Sequence, residues 1–121
     1  MESILRTKSE DFAVSIILFC RKLRDKHVEF PLINQLIKSG TSIGANIHEA
    51  QYAQSTKDFI SKLEISLKEC IETDYWFNLL FKTGSISEMD YCLFLKNLNE
   101  IRRMLISSIV KLKKKIEQNS S

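Results

Sequence analysis

Apolar residues recur along this chain at intervals of three and four, the period of a helix with one buried face, rather than alternating as in a strand. One proline and three glycines in 121 residues leave few points at which a helix would have to break. Four stretches follow from the pattern. Phe12, Ile16, Phe19 and Leu23 mark one face of a helix expected over about 8–27, with Thr7 and Glu10 spaced as a capping box and Pro31 closing off any continuation. Ile33, Leu36, Gly40, Ile43, Ile47 and Ala50 do the same over about 32–53. Ser55 is placed to cap a third helix, about 56–82, whose stripe is Phe59, Leu63, Leu67, Cys70, Phe77 and Phe81. After the break at "KTGSIS", Ser85 and Glu88 have capping-box spacing for a last helix over about 86–117, carrying Tyr91, Phe94, Leu98, Ile101, Leu105, Ile109, Leu112 and Ile116. Residues 118–121 should fray.

Short loops between amphipathic helices favour antiparallel neighbours. The expected fold is therefore all-α, an antiparallel up-down-up-down four-helix bundle, as a single domain over residues 1–121. No repeat or low-complexity stretch divides it.

Gly40 and Gly44 interrupt the second helix, where each costs roughly 1 kcal/mol relative to alanine. Both project on or beside the apolar stripe, so they are expected to let a neighbouring helix approach closely. A quarter turn away runs a polar stripe of Gln35, Ser39, Ser42, Asn46 and Glu49. Such a stripe reads either as a site or as a hydrogen-bonded seam between helices; the seam is expected, because a lone carboxylate without a base makes no catalytic pair.

Composition narrows the function classes. With 44% apolar residues the chain can bury a core of its own. Cys20, Cys70 and Cys92 are odd in number, widely spaced and embedded in apolar helical patterns, which predicts buried free thiols in a reducing cytoplasm. Neither a signal-peptide core nor a run of roughly 20 apolar residues is present, so a soluble cytoplasmic protein without membrane partners is expected.

The net charge is only +3, but it is unevenly spread. Between Ile101 and Ile116 stand Arg102, Arg103, Lys111, Lys113, Lys114 and Lys115 with no acidic residue among them. In an up-down bundle this basic end would lie beside the starts of helices one and three, where Arg6, Lys8, Lys57 and Lys62 add positive charge and Glu10, Asp11 and Asp58 oppose it. Lysines at a helix C-terminus also simply complement the helix dipole and keep a surface soluble. If the cluster binds RNA or DNA, contact should be to phosphates, salt-sensitive and poorly sequence-specific, since no helix-turn-helix pattern accompanies it.

The stretch "SIGANIHEA" resembles the signature "S-I-x-x-N-I-x-E-G" of the bacterial four-helix proteins known as S23 or 23S rRNA intervening-sequence proteins, and "EISLKECIETDYWFNLL" is similar to that family's next segment. The matching positions include Ser42, Asn46 and Glu49, then Glu69, Glu72, Thr73 and Trp76. Gln35-Leu36, Asp58-Phe59 and the "G-S-I" of Gly84 to Ile86 fit as well. Ala50 stands where the family has glycine, which implies a second helix running on past Glu49, and Ser66 stands where it has alanine. The resemblance implies a left-handed bundle assembled as a homopentamer, with no catalytic residue; some relatives accompany reverse transcriptases and are thought to bind nucleic acid.

Helical projection turns Trp76 about 140° from the third helix's core stripe, with Leu79 and Leu80 on the same side, as an intersubunit surface would require. Enzyme and metal readings find little. "HEAQY" begins like a zinc-protease motif, but Tyr52 stands where the second histidine is needed. Neither His27 nor His48 has the glutamate three residues earlier that a di-metal bundle uses; His48 reads as a surface or seam residue, and His27 as a complement to the end of helix one. Glu69 and Glu72 share a face without a nucleophile or cofactor motif. No catalytic residue, metal, cofactor or small-molecule substrate is therefore expected. The protein reads as a non-catalytic oligomeric scaffold that binds RNA or DNA, the alternative being a protein-interaction module that does not.

Overall fold

A computed structural model describes residues 2–120, with side chains from 4 to 119. Four helices account for nearly all of it: α1 (Glu2–Asp25), α2 (Phe30–Ala50), α3 (Thr56–Lys82) and α4 (Glu88–Ser120). Each packs on its neighbours in sequence, and α1 closes the ring against α4 in the sparsest of the four contacts. This is an all-α up-down bundle.

The helix ends differ from the sequence pattern in ways the local chemistry explains. The first helix begins at Glu2, so Thr7 and Glu10 sit inside it and cap nothing. It ends in a Schellman motif: Val28 N–H reaches Leu23 O at 3.1 Å and His27 N–H reaches Arg24 O at 3.0 Å. His27 holds the left-handed position at φ 59°, where glycine is usual. Its contribution to the helix terminus is thus through the backbone. Pro31 lies in the first turn of α2 and opens that helix, because the N–H it lacks would have had no partner there.

The second helix stops at Ala50, three residues short of expectation and despite the missing glycine. Successive i→i−3 bonds from Gln51, Tyr52 and Ala53 tighten the chain out of the helix. Ser55 caps α3 as expected, accepting from Asp58 N–H at 3.0 Å. At the far end Gly84, φ +73°, forms a second Schellman turn with Ser85 N–H on Leu80 O at 2.8 Å. The cap of α4 is Ser87, whose hydroxyl accepts from Asp90 N–H at 3.0 Å; Ser85 instead pairs with Thr83. The last helix runs through residues 118–120 without the expected fraying, and Ser121 lies outside the described residues.

The core is continuous from end to end. Phe12, Phe19, Phe77 and Phe94 form an aromatic cluster across α1, α3 and α4, with Phe77 stacked on Phe94 at a 4.8 Å centroid distance. Around it, Ile16, Leu36, Ile43, Leu63, Leu80, Leu98 and Leu105 are fully buried.

The two glycines of α2 serve the α1 contact. A Cβ on Gly40 would meet the Ile16 side chain at 3.0 Å, and one on Gly44 would meet the Ser9 carbonyl oxygen at 3.2 Å. Their absence lets α1 lie closer to α2 than alanines would, which offsets their helix propensity.

The third helix is rotated from its expected stripe. Ile60, Leu63, Ser66, Cys70, Thr73, Phe77 and Leu80 are buried, whereas Phe59, Leu67 and Phe81 are only partly so. Leu80, expected to face outward with Trp76, is fully buried, and Trp76 itself is half-buried against the core. Sequence patterning missed the rotation because Ser66 and Thr73, being polar, did not count toward the buried face.

Candidate nucleic-acid interface

The polar groups of α2 and α3 divide into a buried seam and a surface band. The seam consists of Ser39, Ser66 and Thr73. Ser66 donates across the interface to Ile43 O at 2.8 Å, and Thr73 Oγ1 lies 3.0 Å from Ser39 Oγ. Each group has found a partner: Thr73 also reaches Glu69 O at 2.7 Å, and among the described residues no buried side-chain polar atom lacks a bond. Such pairing offsets the desolvation cost of three buried hydroxyls.

The rest of the expected stripe lies outside that seam. Ser42 bonds back to Lys38 O at 2.6 Å and Asn46 to Ser42 O at 2.8 Å, both within α2; Gln35 and Glu49 are exposed. Of the other matched residues, Glu69 is half-buried and Glu72 is exposed. Burial holds the Glu69 carboxyl above the usual range, neighbouring Glu72 adds to the rise, and Lys38 opposes it. Trp76 donates its indole N–H to Glu72 at 3.4 Å and meets Tyr75 edge-on at 5.2 Å. Thus Ser42, Asn46, Glu69, Glu72 and Trp76 work mainly in local bonds along the α2–α3 pair, while Thr73 alone of the seven enters the buried seam. A base, a nucleophile and an aligned acid are not brought together there.

Nor do the described residues contain a cluster of three or more His, Cys, Asp or Glu able to hold a metal. His48 is exposed and packs edge-on against Tyr52 at 5.6 Å. Cys20 and Cys70 are buried free thiols; burial pushes them up to about 11 and about 12, so neither is a thiolate at neutral pH. Cys92, expected to be buried like the other two, is exposed.

The basic candidates separate along α4. Arg102 is half-buried beside α3, close enough to Cys70 to lower its pKa, and Arg103 is exposed. Lys111, Lys113, Lys114 and Lys115 are all exposed on the final turns. Register explains their setting. Lys8 of α1 pairs with Glu100 at 3.0 Å, and Lys113 pairs with Glu64 of α3 at 3.1 Å. The α1–α4 contact is the sparsest in the bundle; near this end Leu5 of α1 borders the same cleft as Lys111 and Leu112, while Glu64 of α3 holds Lys113. The lysine segment is therefore an exposed end of α4, tied to α3 by an ion pair. Lys8 is spent on Glu100, whose carboxyl it holds below the usual range by hydrogen bond and charge. The positive region is narrower than the sequence implied, and centres on Lys111, Lys114 and Lys115, which form no ion pair among the described residues.

No helix among the described residues is long and apolar enough to cross a membrane.

Comparison with known proteins sets these features in context. The chain is similar to a protein of unknown function from the S23 ribosomal protein family of Bacteroides thetaiotaomicron, whose crystal structure superimposes with a TM-score of 0.87 at 44% identity, covering 89% of this chain and 96% of that one. No curated protein matches. The profile of the 23S rRNA-intervening sequence proteins matches residues 1–107, which takes in the whole α2–α3 signature and both arginines and stops short of the lysine segment. On that match, over most of its length, the chain belongs to the 23S rRNA-intervening sequence protein family.

Proposed function

We propose that this protein is a non-catalytic, self-assembling helical scaffold that binds RNA or DNA through the exposed basic end of α4. The observation that carries the reading is the exposed set Lys111, Lys114 and Lys115 at the end of α4, none of which forms an ion pair among the described residues. Lysines on a rigid helix contact phosphates as point charges, so binding is backbone-directed and weakens steeply with salt. Assembly into a homopentamer is the expectation carried by family resemblance. Exposed Tyr75 and Ile71 beside Trp76 on α3 support a subunit contact.

The test is light scattering followed by binding of structured RNA and of duplex DNA over a salt series. A multimer whose affinity falls linearly on a log–log salt plot, with a shallower slope in Lys114→Ala/Lys115→Ala, supports the proposal. A multimer indifferent to nucleic acid at low salt favours a protein-interaction module instead, for which the same exposed apolar residues on α3 speak. Tyr75→Glu should lower the solution mass with helicity retained; unchanged mass would remove α3 as the assembly surface.

A further inference from the structure

At the end of the bundle where α1 and α3 begin, an apolar cleft of about 240 Å³ opens between all four helices. Its floor takes one side chain from each: Leu5, Ile47, Leu63 and Leu112. The first three are almost wholly buried, so the cleft reaches into the core. Among the described residues Lys111 is the one charged residue on its wall, and none of them lines it with a carboxylate. That lysine forms no ion pair among the described residues, and Lys113, Lys114 and Lys115 follow within a turn.

The geometry points to a binding site for a small amphipathic anion, a free aliphatic carboxylate whose chain fills the cleft and whose head group pairs with Lys111. An apolar floor favours a hydrocarbon, and a lone cation at the rim favours a single negative head over a neutral one. An apolar cavity of about 150 Å³ suffices for a benzene ring, so this volume takes a chain of about six to ten carbons. The floor of buried Leu5, Ile47 and Leu63 lies below the surface, which favours a free chain over a lipid surface. This site shares Lys111 with the phosphate-binding proposal but does not rest on it.

The test is a methyl-resonance NMR titration of the full chain with hexanoate, octanoate, decanoate and octanol. Saturable shifts are expected at Leu5, Ile47, Leu63 and Leu112, with affinity rising about fourfold per added methylene until the chain outgrows the cleft. Octanoate should bind more tightly than octanol, and Lys111→Gln should abolish that difference while octanol binding persists. Leu112→Trp, which fills the cleft, should lose octanoate binding yet retain salt-sensitive nucleic-acid binding. Unsaturable shifts scattered over the surface, equal affinity for octanoate and octanol in the wild type, or association only with phosphatidylglycerol vesicles would each overturn the assignment. If Leu112→Trp does not fold, the chain-length series and the Lys111→Gln comparison decide the question by themselves.

Discussion

The second helix and the final turns of α4 are both amphipathic, yet the structure treats them differently. On α2, each side of the apolar stripe has a dedicated contact: bare glycine backbone against Ile16 and Ser9 of α1, and hydroxyl pairs against α3. Past Ile109, α4 offers only half-buried Leu112 and Ile116, surrounded by exposed lysines. One helix is fixed by shape on two sides. The other is tied to α3 by an ion pair and leaves an open cleft beneath Leu112. Tight packing is thus concentrated where the family signature lies, and exposed surface is concentrated beyond it.

The sharpest way to test this contrast is to truncate one leucine on each side of it. Leu36→Ala, in the fully buried stripe of α2, should cost about 2–5 kcal/mol, and Leu112→Ala less than half as much, because Leu112 already borders a cleft. Urea unfolding of both variants measures the difference, and equal losses would erase the distinction.

Titration offers a second comparison. Cys20 and Cys70 lie in the tight half of the bundle with thiols raised from an ordinary 9.0 to about 11 and about 12, whereas Cys92 on α4 is exposed. The folded protein retains these two protons where the unfolded chain releases them. Stability should therefore be intact below pH 9 and fall as pH rises from 9 toward 11, at about 1.4 kcal/mol per pH unit for each buried thiol. Urea midpoints at pH 8.5 and 10 test this: Cys70→Ala should roughly halve the slope.

A third variant bears on the α1–α2 approach. Gly40→Leu forces a side chain against Ile16 and should cost about 1–3 kcal/mol; an unshifted thermal melt would show that the helices can separate freely. The smallest expected effect has the opposite sign. His27→Gly relieves a left-handed residue at the end of α1 and should stabilise by about 1 kcal/mol, read as a raised Tm. No gain would mean that the greater freedom of glycine in the unfolded chain cancels the relief.

Much of this was legible in the sequence. Number and order of helices, the Ser55 cap and the glycine contact all follow from local spacing and backbone chemistry. Residues that misled did so for identifiable reasons. Thr7 has capping-box spacing but lies inside a helix that already runs from Glu2, and Ser85 has a neighbour with the same spacing, Ser87 with Asp90, so spacing alone does not say which serine the chain uses. Ser66 and Thr73 are polar, so the buried face of α3 looked narrower and rotated, and Leu80 was placed outside. Lys8 counted as free charge until its partner was found 92 residues away.

By itself, the sequence determined that the protein would be four helices with one apolar face each, because helical periodicity and the scarcity of breakers act within a few residues. Only the tertiary structure decided which hydroxyls meet across α2 and α3, which lysines remain unpaired and where the core is left open. Those outcomes depend on register between helices far apart in the chain, and a shift of one residue turns a side chain by about 100°.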